Sequence, residues 1–412
     1  MKRPLTIFVP HCSDLLTDHV AHGDGLVAHG FISRLAQAGH KLHIVAQKVD
    51  LREPLGPNVI IHSMPAERTG KMLWRLVHMR YVRQLFWRLH RKVQFDLIHQ
   101  LNPVSTGLSL SLAGCGVPLV LGTYVPHWPA EPSPSLLANS ANLLSEFCRD
   151  GISAFQQWRA DTLLLTTPAA TDRLPFARVH REKLCFLPHG IDTDLFSPAS
   201  ERELFRQHQA PSILFFANVV KRKGIFTLVD AFPSVAKQFP SVRLLIAGDG
   251  PDLAEMRRRV AVLPCAQQVE FLGQQPRAHA PAFLRNCTIY CLPSFGEPYA
   301  TTLIEAMSCG KPVVTTNSGG SPHLVSPQGG VLFNQGDTNA LSHALCELLA
   351  DPLRCAAMGR HNRQFVTSNM SWDHVIRRLE EIYDQTLQRF ALSHSNHRRA
   401  FLFINPRTDI QE

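Results

Sequence analysis

The chain has 412 residues, of which 45% are apolar and 18% charged, and its 42 Lys and Arg residues exceed its 33 Asp and Glu residues by nine. This length predicts two domains, and the composition excludes both a disordered chain and a multispanning membrane protein. The positive charge lies mainly in the first 190 residues, with 20 basic and 13 acidic side chains, and favours an anionic partner for that half.

The N-terminus carries two basic residues but no apolar segment of signal-peptide length, so we expect a cytoplasmic protein. The ten cysteines are scattered singly through apolar contexts and predict no disulfide framework. Cys287 and Cys291 lie close together, but no second pair of Cys or His accompanies them, which argues against a zinc site.

Short apolar runs alternate with helical patterns along the first half of the chain. A helix is predicted over residues 25–38, and Gly39 ends it. Strands are predicted over residues 5–9, 42–46, 59–62, 97–99, 117–122 and 162–166. This alternation favours a parallel sheet with helices on both faces.

The same plan restarts after Pro188. Helices are predicted over residues 224–239 and 253–262, and strands over 213–217, 242–247, 269–272, 289–292, 312–316 and 330–333. The fold class is therefore α/β, with two doubly wound domains in series. Because ligands bind beyond the carboxyl ends of such strands, we expect a site in the cleft between the two domains.

The segment 216–224, Phe-Ala-Asn-Val-Val-Lys-Arg-Lys-Gly, leaves a strand and opens a helix. Amides at a helix start, with Lys223 beside them, suit a diphosphate, although a solvated basic turn has the same composition. The tight turn 248–251, Gly-Asp-Gly-Pro, follows the next strand and allows a ligand to approach the backbone closely.

A second motif lies in residues 293–310. Glu297 and Glu305 are eight residues apart, and the helix that contains Glu305 begins near Thr301. Glu297 is then in a loop and Glu305 one to two turns into the helix, so the two carboxylates address different parts of one extended ligand.

These motifs resemble those of the retaining GT-B-fold glycosyltransferases (glycosyl transferases group 1), a family that includes sucrose-phosphate synthases and many bacterial mannosyltransferases. The family's E-x7-E element matches Glu297 and Glu305, its EAMACG-P-VV block matches residues 305–314, its GG-P turn matches 319–322, and its hinge element matches 188–198. The resemblance spans about residues 188–390.

The resemblance implies the GT-B architecture of two Rossmann-like domains facing a cleft. Residues 1–187 would form the acceptor domain and 188–370 the nucleotide-sugar donor domain. We expect a helix over residues 371–390 to return to the N-terminal domain and residues 391–412 to form a loose tail.

The resemblance also implies a UDP- or GDP-linked sugar as substrate, no cofactor, and transfer with retention of anomeric configuration. Glu297 and Lys223 are the expected catalytic residues, with Lys223 offsetting charge on the leaving diphosphate. Glu305 is expected to accept hydrogen bonds from the ribose hydroxyls. The other expected donor-binding residues are Gly23, Asn218 and the backbone of Tyr299, Ala300, Thr301 and Thr302.

Two short segments bear on the cations of the expected site. The family's usual Gly-Arg-Leu is Ala217-Asn218-Val219 here, so one phosphate-binding cation is missing; either Lys221 or Arg222 replaces it, or Asn218 binds phosphate without charge. Asp192-Thr193-Asp194 has the form of a metal-binding D-x-D motif but lies inside the hinge element, so no metal is predicted.

The N-terminal half offers weaker signals. Gly23 aligns with a glycine pair at the start of the family's first helix, but residues 23–28 also form a G-x-G-x-x-A dinucleotide fingerprint. Thirteen residues separate Val9 from Gly23 and no acidic residue ends the second strand, which disfavours a nicotinamide oxidoreductase. Many relatives place a histidine near the sugar; the candidates are His127, which we assign as catalytic, and His99.

Residues 68–95 contain eight Lys and Arg residues, no acidic residue, and interleaved apolar side chains. This pattern suits either an anionic membrane surface or a solvated helix packed on a sheet, and no nucleic-acid motif accompanies it. We expect a glycan or lipid-linked acceptor, in cell-envelope or exopolysaccharide synthesis, and a peripheral membrane location. The alternatives are a nucleotide-sugar epimerase of the same fold and a degenerate nucleotide-sugar-binding subunit.

Overall fold

The structure is a computed structural model that describes residues 3–20, 23–64, 71–102, 107–124, 136–174, 181–199 and 210–404. Its N-terminal half is built on a parallel seven-stranded sheet, and a separate parallel pair joins β2 to β4. The strands of this half are β1 Thr6–Val9, β2 Leu15–Thr17, β3 Lys41–Ala46, β4 Lys48–Asp50, β5 Val59–Ser63, β6 Leu97–Gln100, β7 Leu119–Tyr124, β8 Thr162–Leu165 and β9 Leu184–Phe186.

The C-terminal half is built on a parallel six-stranded sheet. Its strands are β10 Ser212–Phe216, β11 Arg243–Ala247, β12 Val269–Gly273, β13 Ile289–Leu292, β14 Val313–Thr316 and β15 Gly330–Phe333. The order of the first sheet is β5-β3-β1-β6-β7-β8-β9 and that of the second is β12-β11-β10-β13-β14-β15. Both orders reverse at the first strand of the sheet, as in a Rossmann fold, so the predicted doubly wound α/β class is confirmed.

The helices cover both faces of these sheets. They are α1 Gly23–Gln37, α2 Lys71–Val93, α3 Leu136–Arg159, α4 Ile225–Gln238, α5 Leu253–Ala261, α6 Ala280–Asn286, α7 Thr301–Ser308, α8 Ser321–Leu324, α9 Thr338–Ala350, α10 Pro352–Asn369 and α11 Trp372–Ile404. Central strands such as β8 and β13 are buried along their whole length, since helices exclude water from both sides.

The last helix completes the core of the first sheet. Apolar side chains of α11 recur every three or four residues and pack with α1 and β1, β3 and β6 in one buried cluster; they are Val375, Ile376, Leu379, Ile382 and Tyr383. The predicted end of this helix at residue 390 is wrong, because α11 continues to Ile404. Residues 371–405 contain no glycine or proline that would stop it, and residues 405–412 lie outside the described part of the chain.

A buried hydrogen-bond network ties α11 to the sheet. His99 Nδ1 lies 2.6 Å from the Tyr383 hydroxyl, and His99 Nε2 contacts the Gly122 carbonyl oxygen. Nε2 is therefore the donor and Nδ1 accepts from the tyrosine. Burial lowers the pKa of His99 to about 4, so the imidazole is neutral at pH 7.

Trp372, at the start of α11, joins the two halves. Its indole is in edge-to-face contact with Phe31, 5.1 Å between ring centroids. A Cβ atom at Gly30 would lie 2.1 Å from this ring, and one at Gly190 would lie 2.3 Å from it. The tryptophan thus fills a slot between α1 and the segment that connects the two sheets, and both glycines are needed for the close approach.

We predict that Gly190→Ala destabilises the protein, because the new methyl group would overlap an indole that is held on its other side by α1. Overpacking of this kind costs about 1–3 kcal/mol. The measurement is the free energy of unfolding in urea.

The matched control is Gly151→Ala, in an exposed turn of α3 where a Cβ would meet no atom within 4 Å. Higher helix propensity should leave this variant as stable as the wild type or more so. Equal stability of the two variants would contradict the packing assigned to Trp372.

Candidate active site

The loops that follow β10 and β13 meet at the point where the strand order of the second sheet reverses. The Phe295 amide donates to the Arg222 carbonyl oxygen at 2.7 Å. Gly224 has φ +74°, and a Cβ there would lie 1.7 Å from the Pro293 carbonyl oxygen. Only glycine allows this contact, which brings the 217–224 and 293–300 segments together at the carboxyl edge of the sheet.

Lys223 and Glu297 form an ion pair between these two loops. Lys223 ends a single 3-10 turn after β10, and its ammonium contacts Glu297 Oε2. The side chains are 18% and 9% exposed, so water screens the pair only partly. An ammonium group has three donors, so this lysine keeps hydrogen-bonding capacity for an anionic ligand.

Glu305 lies in α7, and its side chain is fully buried. Arg277, in the loop after β12, binds it in bidentate fashion: Nη1 donates to Oε2 at 2.9 Å and Nη2 donates to Oε1. Burial raises the pKa of the Glu305 carboxyl group, and the guanidinium acts against this rise. Arg277 was not predicted from the sequence, because its place beside Glu305 depends on the order of the strands.

The start of α7 contributes backbone amides. Its N-cap residue, Ala300, provides no side-chain cap, and Thr302 Oγ1 lies 2.7 Å from the buried Tyr290 hydroxyl. The first amides of a helix carry the positive end of its dipole, so Thr301 and Thr302 form an anion-attracting edge above β13. Their role in donor binding stays a prediction.

Tyr299 is 5% exposed, and its hydroxyl bonds to the segment that connects the two sheets. The hydroxyl accepts from the His189 amide at 3.0 Å and donates to the His189 carbonyl oxygen at 3.2 Å. Nearby, Thr167 Oγ1 donates to the Pro298 carbonyl oxygen at 3.3 Å. The phenol therefore joins the two halves, and the expectation of donor binding concerns the Tyr299 and Ala300 backbone alone.

Asn218 is exposed at the carboxyl end of β10. Its loop is held by the neighbouring tight turn, since the Val219 amide donates to the Asp249 carbonyl oxygen at 2.9 Å. Lys221, one of the two proposed replacements for the missing arginine, lies 3.8 Å from Glu255 Oε2 on α5. That lysine is thus paired on the outer side of the turn, whereas Lys223 pairs with Glu297.

The N-terminal half contains three candidate site residues, Gly23, His127 and His99. Gly23 is the first residue of α1, and a Cβ there would meet no atom within 4 Å, so packing does not require glycine at this position. His127 lies outside the described residues. His99 has both ring nitrogens occupied by protein groups and acts as a structural link.

His11 was not singled out from the sequence. It follows β1 at the reversal point of the first sheet and is 1% exposed. Burial lowers its pKa to about 3, and within the described part of the chain its Nε2 atom has no hydrogen-bond partner. His11 is thus a buried neutral imidazole at the edge of the first sheet where Rossmann-type folds bind their ligands.

Asp192 has a local role. Its Oδ1 atom accepts hydrogen bonds from the Asp194 amide at 3.2 Å and the Leu195 amide at 3.0 Å. The D-x-D sequence is therefore an Asx turn in the connecting segment. Among the residues that the structure describes, no group of three or more His, Cys, Asp or Glu side chains is arranged to hold a metal ion.

Tyr299→Phe is expected to destabilise the protein, because the His189 amide and carbonyl would lose a buried partner. The cost of such a loss is about 1–3 kcal/mol. Tyr81→Phe serves as the control, since the Tyr81 hydroxyl donates to the Ser63 carbonyl oxygen at 3.2 Å in an exposed setting. Urea denaturation of both variants measures the difference, and similar midpoints would refute the linking role of Tyr299.

Family models match both halves of the chain. Residues 23–195 match "Glycosyltransferase Family 4" and residues 197–365 match "Glycosyl transferases group 1". The boundary between them falls at Phe196, in the connecting segment between the two sheets.

Two curated relatives match part of the chain. A GDP-mannose-dependent alpha-(1-6)-phosphatidylinositol monomannoside mannosyltransferase of Mycolicibacterium smegmatis is 33% identical over 199 residues, which are 45% of this chain and 52% of that protein. A phosphatidylinositol N-acetylglucosaminyltransferase subunit of Arabidopsis thaliana is 30% identical over 209 residues, 50% of this chain and 45% of that protein. The chain spans about half the length of the curated relatives it matches.

Among solved structures, the sucrose-phosphate synthase of Thermosynechococcus elongatus has the same fold, with a TM-score of 0.70 at 22% identity over 94% of this chain and 100% of that one. This likeness extends over both sheets. It shows the GT-B fold. The two family models, which match residues 23–195 and 197–365, show that the chain belongs to the group 1 glycosyltransferases.

Proposed function

We propose that this protein is a glycosyltransferase that moves a sugar from a nucleotide-diphosphate sugar to an acceptor, and that the C-terminal domain binds the donor. The observation that carries the proposal is the grouping of Lys223, Glu297 and Glu305 at the reversal point of the second sheet. A cation, an amide-rich helix start and two buried carboxylates match the phosphates and hydroxyls of such a donor.

In this proposal Lys223 and the first amides of α7 bind the diphosphate. Breaking the bond between sugar and phosphate leaves an oxocarbenium-like sugar and places negative charge on the departing diphosphate. A preorganised ammonium in a partly desolvated site stabilises that charge without reorganisation. Glu297, already oriented by Lys223, accepts hydrogen bonds from sugar hydroxyls. The acceptor hydroxyl oxygen bonds to the anomeric carbon on the face from which the diphosphate departs and gives its proton to the diphosphate, so the product keeps the anomeric configuration of the donor.

The donor is a UDP- or GDP-linked sugar and the acceptor a glycan or lipid-linked glycan of the cell envelope or of an exopolysaccharide. The name of the M. smegmatis relative specifies GDP-mannose, and the names of both curated relatives specify phosphatidylinositol derivatives. These names support a lipid-linked acceptor. Gly23 is the N-terminal residue that we assign to donor binding across the cleft. Protein packing does not require glycine there, since a Cβ atom would meet no other atom within 4 Å.

UDP or GDP is expected to raise the melting temperature of the wild type, and Lys223→Ala is expected to abolish the shift. Saturating ligand at 100 times Kd stabilises by about 2.7 kcal/mol. The measurement is thermal unfolding with UDP, GDP and ADP in turn.

Lys221→Ala, two residues away and paired outward with Glu255, should retain the full shift. Loss of the shift in both variants would indicate a general charge effect, and no shift in the wild type would contradict the donor site.

Asn218 favours a second candidate, a degenerate subunit that binds a nucleotide sugar without turnover, because a neutral side chain stands where relatives have a cation. Transfer of labelled sugar from GDP-mannose or UDP-glucose to a lipid extract separates the two. Nucleotide binding with no transfer to any acceptor favours the binding subunit.

The outer surface of α2 supports a membrane-associated location. Val82, Leu85 and Phe86 pack on the sheet, as in any helix of this fold. The first half of α2 nevertheless exposes Leu73 by 53% and Leu76 by 58%, among arginines with no acidic neighbour on the helix. Packing on the sheet does not explain these exposed apolar residues, whereas an anionic lipid surface accommodates both features.

A second helix extends this surface. The Arg83 guanidinium of α2 donates to the Ser111 carbonyl oxygen, and the Gly107 amide donates to Gln156 of α3, so the two helices flank the 107–112 segment. The exposed aromatic residues of α3 are Phe147, Phe155 and Trp158. Within the described ranges no helix is long and apolar enough to cross a bilayer.

The wild type is expected to co-sediment with vesicles that contain phosphatidylglycerol. A variant in which Arg80, Arg88 and Arg91 are changed to Gln is expected to stay in the supernatant. Each basic residue near an anionic surface contributes about 1 kcal/mol, so binding should weaken by about two orders of magnitude. The control changes three exposed basic residues elsewhere, Lys237, Arg258 and Arg360, to Gln. Equal binding by both triple variants would refute a surface centred on α2.

A further inference from the structure

We infer that Arg277 is a positioning residue of the donor site, which holds the Glu305 carboxylate correctly oriented for the 2′- and 3′-hydroxyls of the donor's ribose. The inference rests on the proposed function. It is drawn from the bidentate pair between Arg277 and Glu305, which joins the loop after β12 to α7.

The Glu305 carboxylate keeps unused acceptor capacity, although its side chain is fully buried in this structure. Two carboxylate oxygens offer about four acceptor positions, and the guanidinium occupies one on each oxygen. No other side chain hydrogen-bonds to this carboxylate within the described part of the chain. One acceptor position on each oxygen therefore remains, which matches a pair of neighbouring hydroxyl donors.

Arg277 is itself held on two sides. Its guanidinium carbon lies 5.0 Å from the centre of the Phe196 ring, and Phe196 is 2% exposed. Stacking on this ring restrains the plane of the guanidinium, and the two hydrogen bonds restrain its rotation. Because the N–H groups of the Arg277 guanidinium are fixed, the two carboxylate oxygens that they bind are fixed as well. The orientation of Glu305 therefore does not depend on the ligand.

The charge balance around Glu305 explains why an arginine is needed. The groups that face it are Arg277, the Tyr290 phenol and the Cys309 thiol, and burial raises the pKa of both the phenol and the thiol, so they stay neutral. Lys223 and Glu297 form a separate ion pair and are matched to each other. Arg277 thus provides the compensating charge for a fully buried carboxylate.

The test compares GDP with 2′-deoxy-GDP, and UDP with 2′-deoxy-UDP, by calorimetric Kd between pH 6.5 and 9. For whichever pair the wild type binds, the ribose form should bind about tenfold more tightly than the deoxy form at every pH, since a hydrogen bond to a charged group is lost. The ratio of two Kd values does not depend on the fraction of folded protein.

Arg277→Met should reduce this ratio toward one, most strongly at the acid end of the range, because the carboxyl group loses its fixed orientation and, once it binds a proton, no longer accepts both hydroxyls. Without the guanidinium the pKa of the carboxyl group rises further, so ribose-dependent binding should return as pH increases through that value. Arg277→Lys keeps a charge but not the fork, and should give weaker binding of the ribose form without the pH dependence.

Arg285→Met is the matched control, since Arg285 donates to the Ser197 and Leu195 carbonyl oxygens and does not contact Glu305. It should keep the wild-type ratio even if its melting temperature falls. A wild-type ratio in Arg277→Met would overturn the inference while leaving the donor site intact. Absence of nucleotide binding by the wild type would overturn both the proposed function and this inference.

Discussion

The burial of two carboxylates at one edge of a parallel sheet governs the organisation of the C-terminal half. A carboxylate removed from water is destabilising unless a cation and hydrogen-bond donors replace its hydration. Glu297 and Glu305 each meet this requirement with a separate cation, Lys223 from the loop after β10 and Arg277 from the loop after β12. The loops on both sides of the strand reversal are thereby held together by charge.

The two halves are joined by contacts of another kind. Trp372 fills a slot lined by two glycines, and the Tyr299 hydroxyl bonds to both backbone groups of His189. The loop that carries Glu297 is therefore connected directly to the segment between the sheets. A change in the angle between the two halves would act on this loop through Tyr299, which is how closure of a cleft can adjust catalytic groups.

Much of the fold followed from periodicity alone. Runs of buried β-branched and aliphatic residues separated by helical patterns predict strands such as β13 with the correct bounds, and strands buried on both faces are typical of a parallel sheet covered by helices. The predicted end of α11 was wrong by fourteen residues, 390 instead of 404, because residues 391–400 are rich in Ser, His, Asn and Arg and give no apolar stripe. Short elements such as β2, β4 and β9 have three residues each, too few for a periodic signal.

Site residues that belong to one local sequence motif could be predicted, whereas contacts between segments far apart in the sequence could not. Glu297, Glu305 and Lys223 belong to local motifs, but the pairing of Lys223 with Glu297 and of Arg277 with Glu305 depends on strand order. The backbone of Tyr299 was expected near the donor, which stays a prediction, and the bond of its side chain to the connecting segment was not foreseen. A local sequence motif does not show whether a side chain faces the ligand or a neighbouring domain.

The packing of α11 on the first sheet also bears on biosynthesis. Side chains of residues 375–383 complete a core whose other members lie before residue 188. A nascent chain that has emerged only as far as the second sheet exposes the apolar face of α1 and its strands to water and to other chains. The N-terminal half is synthesised first, but its core is completed last, which reverses the usual N-to-C order of domain folding. Until then its exposed apolar surface is of the kind that chaperones bind.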